Sequence, residues 1–141
     1  MQHVKGKTYE VLEIGETASF TKTITETDIC LFAGISGDFN PMHVDEAYAS
    51  KTKFKTRIAH GPVAQSLIAP VLGTKLPGLG TVAVEMFSRF LAPVYPGDTI
   101  TATAEVIEKV ADKKQIRLKL TWINQKQDLV IEGEALVSPP R

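Results

Sequence analysis

The chain has 141 residues, 43% hydrophobic and 23% charged, which suits a soluble globular domain with a real core. Sixteen basic side chains balance sixteen acidic ones, which argues against a nucleic-acid binder, where a basic excess is usual. A lone cysteine, Cys30, cannot form an internal disulfide and suits a reducing compartment.

Residues 1–10 are polar and lack the apolar core of a secretion signal, and no apolar run reaches membrane-spanning length. A cytoplasmic protein without a membrane partner is expected. The chain up to Gly15 reads as an extended lead-in. Residues 16–25 alternate, with Ala18 and Phe20 on one face, and predict a strand. Thr25 or Thr27 then caps a helix that carries Glu26 and Asp28 in its first turn. Ile29, Leu31, Phe32 and Ile35 form its apolar stripe, and Cys30 among them reads as a small buried hydrophobe. Gly34, Ser36 and Gly37 end it.

The stretch that follows, Gly37-Asp38-Phe39-Asn40-Pro41-Met42-His43, carries the chemistry. Pro41 fixes its own φ and pushes Asn40 out of the helical region, while the Asn40 side chain can lock the turn through its own backbone. Asp38 can accept a proton or orient a water, and a histidine such as His43 exchanges protons near neutrality. A carboxylate and an imidazole on one rigid loop are what acid–base catalysis requires. The same residues would also serve as a simple helix stop and turn.

Residues 45–50 predict a single helical turn. Lys51, Lys53, Lys55 and Arg57 then form a small basic cluster, either a solvated loop or a contact for an anionic ligand. His60-Gly61-Pro62 opens the next helix, with proline at a favourable first-turn position. Val63, Leu67, Ile68, Val71 and Leu72 recur at helical spacing with small residues between them, so this helix should be buried nearly all round. Pro70 predicts a kink or early break. Beyond Gly78 the period changes to that of strands: 81–94, 99–110, 115–123 with Ile116, Leu118, Leu120 and Trp122 alternating, and 129–137. Short turns join the last three, which are therefore antiparallel. No Cys/His metal-ligand spacing and no internal repeat is present, so neither a metal nor a resident cofactor is expected. The whole chain, 1–141, reads as one α+β domain in which an antiparallel sheet wraps a central buried helix.

Three stretches give this chain a family resemblance: Ser36 to Asp45, Arg57-Ile58-Ala59-His60-Gly61, and Phe90 to Thr99. It resembles the MaoC-like, (R)-specific enoyl-CoA hydratases, also called hydratase 2, which have the hot-dog fold. The resemblance implies reversible syn hydration of a trans-2-enoyl-CoA to an (R)-3-hydroxyacyl-CoA. It implies that Asp38 and His43 are the catalytic pair, without saying which is acid and which base, and that Asn40 supports them. Coenzyme A would belong to the substrate rather than act as a cofactor. The main-chain N–H of Gly61 is the natural donor to the enolate oxygen, because helix N-termini hold unpaired N–H groups and Pro62 has none. His60 would orient the start of that helix through hydrogen bonds. Some members of the family carry a serine in mid-helix; Ala69 falls there, with Ser66 nearby. Lys53, Lys55 and Arg57 would meet coenzyme A phosphates or an acyl-carrier protein. An exposed sheet edge implies a homodimer or a larger homo-oligomer. The alternatives are an (R)-3-hydroxyacyl-carrier-protein dehydratase, an acyl-CoA thioesterase and a non-catalytic acyl-CoA-binding module.

Overall fold

The computed structural model describes residues 1–141. The first strand, β1 (Thr17–Thr23), leads into α1 (Glu26–Ser36) through a complete capping box. The Asp28 N–H donates to Thr25 Oγ1 at 3.1 Å, and the Thr25 N–H donates to Asp28 Oδ2 at 2.9 Å. Gly37 closes α1 with φ +77°, a conformation that favours glycine. Two short helical turns follow, α2 (Pro41–Val44) and α3 (Glu46–Ala49). The central segment runs as α4 (Gly61–Gln65), α5 (Ile68–Pro70) and a π-type turn at Val71–Lys75. Pro70 thus marks the change of helix type, in line with the break its ring imposes.

Four strands complete the chain: β2 (Val82–Phe90), β3 (Thr99–Val110), β4 (Gln115–Ile123) and β5 (Leu129–Ser138). All five form one antiparallel sheet in the order β1-β3-β4-β5-β2. The inward rows of β3 and β4 are fully buried, and small residues face large ones across the ladder, Ala102 opposite Trp122 and Ala104 opposite Leu120. Val63, Ala64, Leu67, Ile68, Val71 and Leu72 from the central segment fill the concave side. This is the hot-dog arrangement that the resemblance implies.

Some expectations change. The lead-in is broken by turns at residues 9–11 and 14–15 and is not extended throughout. Leu12 is buried, and two main-chain bonds join the lead-in to the sheet at Val106, from Gly15 N–H at 2.8 Å and to the Glu16 carbonyl at 2.9 Å. In α1 only Ile29 and Ala33 are buried, while Leu31 is 60% and Ile35 84% exposed. At roughly 100° per residue those two lie on the side of the helix opposite Ile29, so the stripe was two faces. Cys30 is exposed, not buried. The central segment is buried on one side only: Pro62, Ser66 and Ala69 face outwards, because the sheet curls round a single face of it.

Candidate active site

The site begins where α1 stops. The Asp38 N–H donates to Ser36 Oγ at 3.1 Å, and Asp38 Oδ1 accepts the Asn40 N–H at 3.1 Å. Asn40 caps α2: its Oδ1 accepts the Met42 N–H at 3.2 Å, and Pro41 takes the first helical position. This chain of Asx-type bonds sets the direction of Asp38 and starts the turn that carries His43. Asp38 is exposed and His43 is buried.

His43 is fixed by a partner distant in sequence. Its Nδ1 lies 2.7 Å from the Ile58 carbonyl oxygen. A carbonyl only accepts, so Nδ1 carries the hydrogen and the uncharged ring keeps its lone pair on Nε2. His60, 2% exposed, stacks on His43 with ring centroids 4.0 Å apart and interplanar angle 30°. Asp38, His43 and His60 bring donor atoms within 4.8 Å of one another. A carboxylate and an imidazole lone pair at such range can both accept from a single water.

Beside the pair lies a cavity of about 700 Å³ lined by His43, Ile58, Gly61, Gln65, Phe90, Leu91 and Lys53 among others. Gly61 is the first residue of α4, where an N–H has no intrahelical acceptor, and none of the turn and loop hydrogen bonds uses it. A Cβ there would stand 2.7 Å from Cε1 of Phe90, so only glycine lets the backbone and the cavity wall meet this closely. Because α4 is a short piece of a segmented helix, what Gly61 offers is one free N–H more than a long-helix dipole.

The basic cluster divides. Lys53 reaches the cavity and Lys55 sits in the adjoining turn with φ +65°. Arg57 bonds through Nη2 to Glu26 and through Nε to Glu46 at 3.2 Å. Those two carboxylates raise the Arg57 pKa, Glu26 foremost, and bonds from Thr56 and Arg57 lower that of Glu46. Arg57 therefore ties α1 to α3 through Nε and Nη2, while its Nη1 enters none of the hydrogen bonds. His60 immediately precedes α4 and its side chain caps no helical N–H; its Nε2 lies 3.0 Å from the Asp38 main-chain carbonyl oxygen, so a hydrogen bond ties the start of α4 to the Asp38 loop. The Ile58 carbonyl was missed altogether, since no side-chain pattern marks a main-chain acceptor.

A family model described as MaoC like domain matches residues 11–126. The (R)-specific enoyl-CoA hydratase of Rhodospirillum rubrum is 49% identical over 132 residues, covering 94% of this chain and 91% of the relative. A solved R-hydratase, PhaJ1 of Pseudomonas aeruginosa in its unliganded form, superimposes with TM-score 0.91 at 42% identity, covering 98% of this chain and 88% of that one. A more distant relative, the mitochondrial 3-hydroxyacyl-[acyl-carrier-protein] dehydratase of Arabidopsis thaliana, is 30% identical, covering 92% of this chain and 79% of the relative.

Proposed function

The chain belongs to the MaoC-like family, and we propose that it is an (R)-specific enoyl-CoA hydratase, a hydro-lyase acting on trans-2-enoyl-CoA through Asp38 and His43. The observation that carries this is the closeness of the Asp38 carboxylate to His43, which itself lines a cavity together with Gly61, whose N–H enters none of the turn and loop hydrogen bonds.

One water donates a hydrogen bond to the Asp38 carboxylate and another to His43 Nε2. As its oxygen bonds to C3 of the enoyl thioester, one of the pair takes a proton and the π electrons move onto the thioester oxygen. The Gly61 N–H stabilises that charge, a kind of contact worth about 10²–10³ in rate. The enolate then collapses as the pair delivers the proton taken from that water to C2 on the same face, which makes the addition syn and returns the pair to its starting state. Reversal is dehydration by the same path. Asn40 keeps the carboxylate aimed.

Lys51, Lys53, Lys55 and Arg57 form the basic stretch that would meet the phosphates of coenzyme A, which is part of the substrate, and Lys53 lines the cavity. The chain acts as one domain, 1–141. A second copy covers β2, an edge strand exposed on both faces, so the working unit is a homodimer or a multiple of it. No helix is long and apolar enough to cross a membrane. The lone cysteine and zero net charge suit the cytoplasm.

The second reading, dehydration of a carrier-protein thioester, is favoured by the plant relative but at lower identity. Initial rates on crotonyl-CoA and crotonyl-carrier protein, with the chirality of the product, decide between them. The expected result is faster hydration of crotonyl-CoA, giving the (R)-3-hydroxybutyryl thioester. Preference for the carrier protein selects the second reading, and release of free thiol would overturn both.

A further inference from the structure

We propose that His60 is the positioning residue of this site, acting through the hydrogen bond from its Nε2–H to the main-chain carbonyl of Asp38. This deepens the hydratase reading and rests on it for its kinetic arm.

The bond crosses 22 residues of sequence and spans 3.0 Å. A carbonyl only accepts, so His60 carries its hydrogen on Nε2. Its Nδ1 is then a lone-pair acceptor, and it is buried without a hydrogen-bond partner. Such an orphan is destabilising. The ring lies between Phe32, centroid 4.8 Å away, and His43, stacked at 4.0 Å. A phenylalanine could fill an apolar slot of that kind with no orphaned atom. What it could not supply is the donor for Asp38. The unfavourable Nδ1 is therefore the counterpart of a useful Nε2–H.

The consequence concerns Asp38. It is exposed and sits on a loop just beyond a helix end. From below, only Ser36 and Asn40 hold it, both within two residues. The bond from His60 is the one tie from Asp38 to a different part of the chain, and the same ring backs His43. One residue thus fixes the spacing of the two groups that share the water, and a displacement of about 1 Å in such a pair can cost about 10²-fold in rate.

Three variants separate the bond from the packing. Glutamine can put an amide N–H where Nε2 stands; asparagine is too short; phenylalanine keeps the aromatic slab and removes the donor. In crotonyl-CoA hydration, His60→Asn and His60→Phe should lose 10–100-fold in kcat with KM within threefold, and His60→Gln should recover to within fivefold of the wild type. Wild-type kcat in His60→Phe, or equal loss in His60→Gln and His60→Asn at matched thermal stability, would overturn the proposal. A second arm needs no activity. Long-range ¹H–¹⁵N correlation spectra of the three histidines should show His60 as the Nε2–H tautomer, and the Asn40 amide should exchange faster in His60→Phe than in wild type and His60→Gln. An Nδ1–H tautomer for His60 would refute it. A wild type inactive on crotonyl-CoA would instead refute the hydratase reading, leaving the spectra to decide the role of His60.

Discussion

β4 and β2 are both nine residues long, both lie in the same sheet, and they end differently. In β4, every second side chain is wholly buried, from Ile116 to Trp122, under the central segment and between two neighbours. In β2, eight of nine residues are exposed although Val84, Met86, Phe87 and Phe90 are as apolar as anything in β4. It is bonded to β5 alone, and closely: a Cβ on Gly133 would fall 1.9 Å from the Phe87 carbonyl oxygen. β4 is a strand completed by its own chain. β2 is held by its backbone while its side chains lack cover, and Phe90 at its end forms part of the cavity wall. The difference teaches that the core is completed within one chain, while β2 keeps its apolar side chains exposed beside the cavity; under the dimer proposed above a second copy covers them.

Substitutions that break the comparison should differ in kind as well as size. Trp122→Ala removes a side chain with no exposure from the middle of the sheet and should cost about 3–5 kcal/mol by denaturant titration. The loss should appear at every protein concentration, because it lies within one chain. Met86→Lys should behave in the opposite way. It places a charge in the centre of the uncovered strand and should weaken self-association by more than about 10²-fold, measured by sedimentation, while circular dichroism stays unchanged. Hydration should fall with the dimer. If Met86→Lys stays dimeric, β2 is not the interface.

The smallest expected effect lies in the cap of α1. A bond from Lys22 foremost, then desolvation opposing it and bonds from Thr25 assisting, lowers the Asp28 pKa from 3.8. A lowered folded-state pKa means the stabilisation is complete above the unfolded value and is lost as pH falls through the folded one. Asp28→Asn should cost about 1 kcal/mol at neutral pH and remove that part of the acid sensitivity, seen as convergence of the two thermal midpoints at low pH.

How far the sequence revealed this molecule follows the range of each contact. The turn from Asp38 to His43 was legible because its local bonds are made by neighbours, Ser36, Asn40 and Pro41, whereas the Ile58 and His60 contacts that hold its two ends come from 15 and 22 residues away and were not. The cap at Thr25 and the alternation of β4 were legible for the same reason. The ion pairs of Arg57 were not legible because its partners, Glu46 and Glu26, lie 11 and 31 residues away. The partner of His60 was not legible, because its acceptor is a main-chain carbonyl, that of Asp38, on another loop. The exposure of Leu31 and Ile35 follows from angular position on α1, which a list of apolar residues does not carry. The exposure of β2 was not legible, because an apolar run reads the same at the edge of a sheet as at its centre.

The central claim is that Asp38 and His43 together hold the water and move its protons. It is tested most directly by kcat for crotonyl-CoA hydration, followed at the enoyl absorbance, in wild type, Asp38→Asn and His43→Ala with thermal midpoints measured alongside. Positioned acid–base groups contribute about 10²–10⁴ in rate, so each variant should lose at least about 10²-fold while remaining folded. Near-normal turnover in either folded variant would contradict the account.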